Sequence, residues 1–406
     1  MLRMRDAALP QKLAYTVTKV TEKPFAGAAR MVEGTYQVPL YLNTAGPALD
    51  LRLFRDSEGK VTQNGNATAN FLAILPESAA NGPVRVLNYG HGLFGSRDEI
   101  KTDYLVQEAN EFGYALFATD WWGLCSEDEI VAGLMLAGNL SDFVMIPDRL
   151  HQGMLNQLLL MRLASTQFPS DPNFQLTPGT PALDPSRRSY YGNSLGGILG
   201  SVYMSLTTDV HRGVLGVPGG PFPLLLPRSV DFAALFDVLR LRFDDTLDRI
   251  FLMTVLGDRW SKLEPAGYMS HISRKAFPNT PNHTVLIHYG QGDAQVSWLG
   301  AKAIARSCGA DMYDTNTRIG NTTLFGFPAS SPSTVLNGST HSLLQCWDFK
   351  VPLQNIPFTN NPPDKSTDTH EGPRRQHDAQ QQTSLFFEHD IIRNTCNGTC
   401  NGTMSF

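Results

Sequence analysis

The sequence has no cluster of lysines and arginines, no apolar run long enough to cross a bilayer, and no group of histidines and cysteines at metal-ligand spacing. Each absence removes a class of function. Nucleic-acid binding gathers basic side chains to meet phosphates, whereas this chain sets 33 Lys and Arg against 38 Asp and Glu, a net charge of -5. The pair Arg374-Arg375 is too short to alter that balance. Apolar stretches are broken by charge or proline before they reach the roughly 20 residues of a membrane span. The first residues, Met1 to Asp6, are positively charged but lead into Pro10, Gln11 and Lys12 and not an apolar core, so no secretory signal is spelled. The expectation is a protein that stays inside the cell, or one whose true start lies upstream. Asp311, Asp314 and Asn316 lack the glycine and closing glutamate of a calcium loop and read as a turn.

Cysteine is scarce and odd in number, with five in the chain. Cys125, Cys308 and Cys346 lie far apart and read as buried free thiols. Cys396 and Cys400 bracket Asn397-Gly398-Thr399, a turn that can bring two thiols to bridging distance and so points to an oxidising compartment. Two cysteines without a nearby histidine pair make a poor zinc site, and neither a metal nor another cofactor is expected. With 406 residues and 42% hydrophobic composition, the chain can bury a sizeable core, as one α/β domain with an insertion or as two domains.

What the sequence does carry is a serine between glycines, Gly192-Asn193-Ser194-Leu195-Gly196. Arg188 to Tyr191 reads as a strand and Leu195 to Leu206 as an apolar helix, so Ser194 falls on a sharp strand-to-helix turn. The alternative is an ordinary glycine-rich turn. His91-Gly92-Leu93-Phe94-Gly95 follows the apolar strand Val84 to Tyr89, and such a loop can aim the Leu93 N–H at a developing oxyanion. The Leu195 N–H, opening the helix after the serine, would be the second donor.

A further apolar strand, from Thr284, ends in Gly290-Gln291-Gly292-Asp293, making Asp293 a candidate acid or else a helix N-cap. Asp120 also follows a strand, Tyr114 to Thr119, but precedes the serine. The base is sought after the last strand, His341 to Phe349, where His370 sits between Asn361-Pro362-Pro363 and a helix predicted over 374–388. His377 and His389 are the alternatives on that helix or its end, and His341 opens the strand. Trp121 and Trp122, with His91 and Phe94, are candidates to line a pocket or simply to fill the core.

This order of oxyanion loop, G-x-S-x-G, strand-end Asp and late His resembles the α/β-hydrolases, most nearly their lipases and esterases, over roughly residues 68 to 392. The resemblance implies a mostly parallel central sheet flanked by helices, with Ser194 as nucleophile, Asp293 as orienting acid, His370 as general base and no cofactor. The tail Thr369-His370-Glu371 with Arg374, Arg375, Ala379, Gln380 and Phe386 is similar to secreted bacterial hydrolases, which allows a secreted form with an upstream start. His91-Gly92-Leu93-Phe94-Gly95 departs from the HGGG spelling of one branch.

Residues 1–67 are expected as a wrapping segment with the first strand or strands, irregular over 1–40, with further strands at 36–42 and 69–75. Residues 68–392 form the catalytic domain and 393–406 a tail. Leu150 to Leu163 reads as a core helix. Between strands at 214–217 and 284 lie about 65 residues, far beyond a usual connection. This insertion, about 219–280, is rich in large apolar residues; Leu235, Leu239 and Phe243 share a helix face, and it reads as a cap favouring an apolar acyl or aromatic group. The segment 316–340 reads as an exposed excursion. The expected activity is hydrolysis of small-molecule carboxylic esters; peptidase or acyltransferase chemistry on the same three residues, and a non-catalytic binding member, are the alternatives.

Overall fold

The computed structural model describes residues 1–313, 336–337, 341–356, 361–396 and 398–404. They fall into two compact units, Met1–Tyr190 and Tyr191–Phe406. Both are α/β.

In the first unit, α1 (Leu2–Ala8) precedes a hairpin of β1 (Tyr15–Phe25) and β2 (Ala28–Pro39), joined through Gly27 at φ +86°. β3 (Asn66–Pro76) pairs antiparallel with β2. β4 (Val84–Gly90) and β5 (Tyr114–Ala118) are buried at every residue, and β5 lies between β3 and β4, antiparallel to one and parallel to the other. The parallel pair needs a crossover, supplied by α2 (Asp103–Phe112), which stops at Gly113 in the left-handed conformation. α3 (Glu129–Ala137) and the 22-residue α4 (Met145–Thr166) follow. The aromatic core gathers Phe71, Phe117, Phe168 and Phe174, with Phe168 and Phe174 stacked at 4.3 Å.

The first 40 residues are therefore not irregular. Every residue of β1 is at least partly exposed, so as an outer strand its faces carry Thr, Lys and Glu, and no apolar alternation marks it in the sequence. The strand expected over 36–42 stops at Pro39, and Leu42 makes only an isolated bridge to Leu53.

β6 (Leu183–Asn193) ends in the second unit and delivers α5 (Leu195–Leu206), whose every residue is buried. β7 (Arg212–Gly216) runs parallel to β8 (Thr284–Gly290). Between them lies the insertion, built of α6 (Phe222–Leu225), α7 (Ala233–Arg242), α8 (Thr246–Trp260), α9 (Pro265–Tyr268) and α10 (Ser270–Ser273). α11 (Trp298–Cys308) leads to β9 (Asp311–Tyr313). A short antiparallel pair joins β10 (Leu336–Asn337) to β12 (Ile391–Ile392). β11 (Leu343–Trp347) is parallel to both β8 and β9, giving the order β7-β8-β11-β9. Parallel strands flanked by helices read as near-continuous apolar runs, which is why β8 and β11 are legible.

The strand expected over 341–349 is β11, which begins at Leu343 and leaves His341 exposed before it. α12 (His377–His389) starts three residues later than expected, because Pro373–Arg375 forms a 3-10 turn first. Asp311 opens β9; Asp314, Asn316 and the excursion 316–340, apart from 336–337, lie outside the described residues. Cys396 and Cys400 form a disulfide with Cα atoms 5.1 Å apart, while Cys125, Cys308 and Cys346 are buried and not disulfide-bonded. Among the described residues no helix is long and apolar enough to cross a membrane, and no group of three acidic, His or Cys side chains could hold a metal ion.

Candidate functional site

Ser194 sits between the end of β6 and the start of α5 at φ +58° and ψ -123°, a conformation that costs a non-glycine residue of order 1–3 kcal/mol. Close packing holds it there. Its N–H donates to the Gly216 carbonyl at 3.0 Å. A Cβ on Gly216 would lie 1.9 Å from Asn193 Oδ1, and one on Gly197 would lie 2.5 Å from the Gly216 carbonyl. The turn thus survives only with bare backbone on its neighbours. The Ile198 N–H of α5 donates to the Ser194 carbonyl at 2.9 Å. Leu195 therefore presents a helix-opening N–H with no intrahelical acceptor.

Asp293 follows β8 through Gly292, which takes φ +92°. Its carboxylate is divided between two tasks. Oδ1 accepts the N–H groups of Gln295 at 3.0 Å and Val296 at 2.8 Å, the N-cap-like role weighed from the sequence. Oδ2 lies 2.9 Å from His370 Nδ1, and both side chains are buried. A carboxylate at Nδ1 fixes the tautomer and leaves Nε2 as the basic nitrogen. Burial disfavours the imidazolium, but the Asp293 charge and hydrogen bond outweigh it and raise the His370 pKa above its ordinary 6.5.

Ser194, Asp293 and His370 thus all lie in the second unit, on connections that leave the C-terminal ends of β6, β8 and β11. Ile198, one turn beyond Ser194, packs with Val296, whose amide donates to Asp293, and with Leu225 of the insertion. Ser194 is half-buried, and its Oγ makes no hydrogen bond among the described residues. The other histidines go elsewhere: His377 and His389 are exposed on α12, and His341 lies 3.9 Å from Asp311.

In the first unit, the loop after β4 commits its amides unevenly. Gly92 N–H donates to Glu99 Oε2 at 2.7 Å, Phe94 N–H to the Leu124 carbonyl at 3.0 Å and Gly95 N–H to the Gly92 carbonyl at 3.1 Å. Leu93 N–H makes no hydrogen bond among the described residues. His91 is fully buried; Nε2 accepts the Trp121 N–H at 2.8 Å, and Nδ1 lies 2.8 Å from the Gly92 carbonyl. Its two nitrogens are spent on backbone, so its polar work is to shape the loop. Trp121 is fully buried, Trp122 is nearly so and stacks on Arg149, and Phe94 is half-buried at φ +49°. Asp120 is occupied by Arg97, whose guanidinium lies 2.6 Å away.

Three residues near the base were given no role of their own from the sequence. Asp368 accepts hydrogen bonds from Ala294 N–H at 2.8 Å, Gln295 Nε2 at 2.8 Å and His370 N–H at 3.1 Å. Thr369 seats the same segment on the end of β8, where a Cβ on Gly290 would lie 2.6 Å from Thr369 Oγ1. Asp231, in the insertion, adds another carboxylate to the electrostatic surroundings of His370. The Asp-x-His spelling of 368–370 is an Asx-turn signal the sequence does carry. Its reach to Ala294 and Gln295, across more than seventy positions, is not.

No family model matches the chain, and no curated protein matches it. Among solved structures, it is similar to acetyl xylan esterase 1 from Thermoanaerobacterium sp., at 16% identity and TM-score 0.41, over 75% of this chain and 81% of that one. An acetyl xylan esterase from Paenibacillus sp. matches at 12% identity and TM-score 0.42, over 85% and 86% of the two chains. Carboxyl esterase 2 from Tuber melanosporum matches at 13% identity and TM-score 0.41, over 92% and 89%. The functional reading rests on the geometry above.

Proposed function

We propose that the chain is a serine hydrolase that cleaves small-molecule carboxylic esters through an acyl-enzyme on Ser194. The observation that carries this reading is the buried 2.9 Å pair of Asp293 and His370, set on strand-end loops in the same unit as the strained Ser194 turn. In the reaction, His370 Nε2 takes the Ser194 proton as Oγ attacks the ester carbonyl, and Asp293 steadies the imidazolium that results. The Leu195 N–H stabilises the oxyanion, a donor of this kind contributing about 3 kcal/mol to the transition state. The tetrahedral adduct expels the alcohol, which takes its proton from His370. Water then attacks the acyl group, and the same base returns Ser194 to its resting form. No step calls for a cofactor.

The apolar insertion between β7 and β8 contributes to acyl or aromatic recognition in this reading, with Leu225 beside Ile198 as its contact with the helix behind the serine. A series of p-nitrophenyl esters of increasing chain length, run against a matched anilide with wild type and Ser194→Ala, tests the proposal. Ester turnover that vanishes in the variant supports it. Equal turnover by both proteins would overturn it, and preference for the anilide would make the chain a peptidase or amidase.

A further inference from the structure

Resting on the hydrolase reading, we propose that Asp368 is a positioning residue, clamping the loop that carries the acid to the loop that carries the base. Its carboxylate takes two donors from the acid loop, the Ala294 N–H and Gln295 Nε2, and one from the base loop, the His370 N–H. Both loops touch it within two residues of the group they present. Ala294 directly follows Asp293, and His370 donates through its own backbone. The Asp293–His370 bond at 2.9 Å spans 77 positions of sequence, and Asp368 spans nearly the same gap beside it. Two parallel tethers fix an angle that one tether leaves free.

The clamp is built into the base loop. Lys365–Thr367 forms a 3-10 turn capped by Asp364, and the Asp368 N–H returns to the Lys365 carbonyl. Thr369 then packs against Gly290. All three of Asp368's donors are neutral and none is a cation, so its charge stays available to the neighbouring imidazole. The charged groups that face His370 are Asp293 and Asp368, which favour the imidazolium, and Arg374, which opposes it; Asp231 and Glu371 also sense its charge.

The test uses the full chain and three variants. Asp368→Asn removes the charge and turns part of one acceptor into a donor facing Gln295 Nε2. It should lower kcat at least tenfold with KM within about twofold, and move the acid limb of the kcat/KM profile to lower pH, since His370 must be neutral to act. Gln295→Ala removes one donor and no charge, so kcat should fall severalfold with the limb unmoved. Ser194→Ala separates this proposal from the hydrolase reading: if it retains activity, that reading fails. If Ser194→Ala is inactive while Asp368→Asn keeps wild-type kcat and an unmoved limb, the positioning role alone is overturned. If Asp368→Asn does not fold, an unchanged kcat in Gln295→Ala overturns the clamp.

Discussion

Two buried carboxyl groups in different parts of the molecule show what burial alone does and does not make. Asp293, at the end of β8, is 1% exposed and receives two backbone N–H groups and an imidazole. Glu108, on α2, is 2% exposed and neither oxygen has a hydrogen-bond partner among the described residues. Burial pushes both pKa values up. At Asp293, His370 opposes the rise; at Glu108, Glu111 adds to it and the group reaches about 8. One carboxylate has been given the donors that let it stay charged and orient a base, while the other stays protonated at neutral pH. Chemistry follows the donor set and not the depth.

The largest expected effect breaks the Asp293 side of this comparison. Ser194→Ala or His370→Ala should lower kcat about 10⁴ to 10⁶-fold in steady-state ester hydrolysis. Asp293→Asn keeps the shape of the acid but removes the charge that fixes the tautomer, and should cost about 10⁴-fold. His377→Ala and His389→Ala, on the exposed face of α12, should leave the rate unchanged. The acid limb of kcat/KM should titrate above 6.5, because the His370 pKa is raised.

Glu108 gives the next effect, in stability. Its folded pKa lies above its unfolded one, so ionisation penalises the fold only as pH climbs from 4.5 toward about 8. Glu108→Met should therefore stabilise the protein, with a gain that grows over that interval by on the order of 5 kcal/mol and levels off above it. Denaturant melts at pH 4.5 and pH 8.5 check this; a gain independent of pH would contradict it.

The smallest effect lies in the insertion. Leu199 in α5 is fully buried, whereas Leu247 and Phe251 in α8 are 74% and 72% exposed. Leu199→Ala should cost about 2–5 kcal/mol. Phe251→Ser should stay within about 0.5 kcal/mol, and any change it makes in chain-length preference would show that this face meets substrate.

These contrasts also mark what the sequence could reveal. The turn at Ser194 was legible from its glycine spelling, and the strand before Asp293 because a buried parallel strand is a continuous apolar run ending in a glycine turn; the glycines answer to real close approaches at Gly197, Gly216 and Gly290. The hairpin of β1 and β2 was missed because an outer strand of Thr, Lys and Glu carries no burial period. Asp368 was missed because its meaning comes from partners more than seventy residues away, and Glu108 because a glutamate on a helix looks solvent-facing until packing covers it. The insertion was recognised by its length and apolar content, but which of its faces pack is decided by contacts within the fold. Of the expected face only Leu239 is buried.

The central claim is tested most directly by reacting the folded protein with an organophosphonate and mapping the modified peptide. The account predicts stoichiometric labelling at Ser194 that His370→Ala suppresses. Labelling at another residue, or a folded protein that does not react, would contradict it.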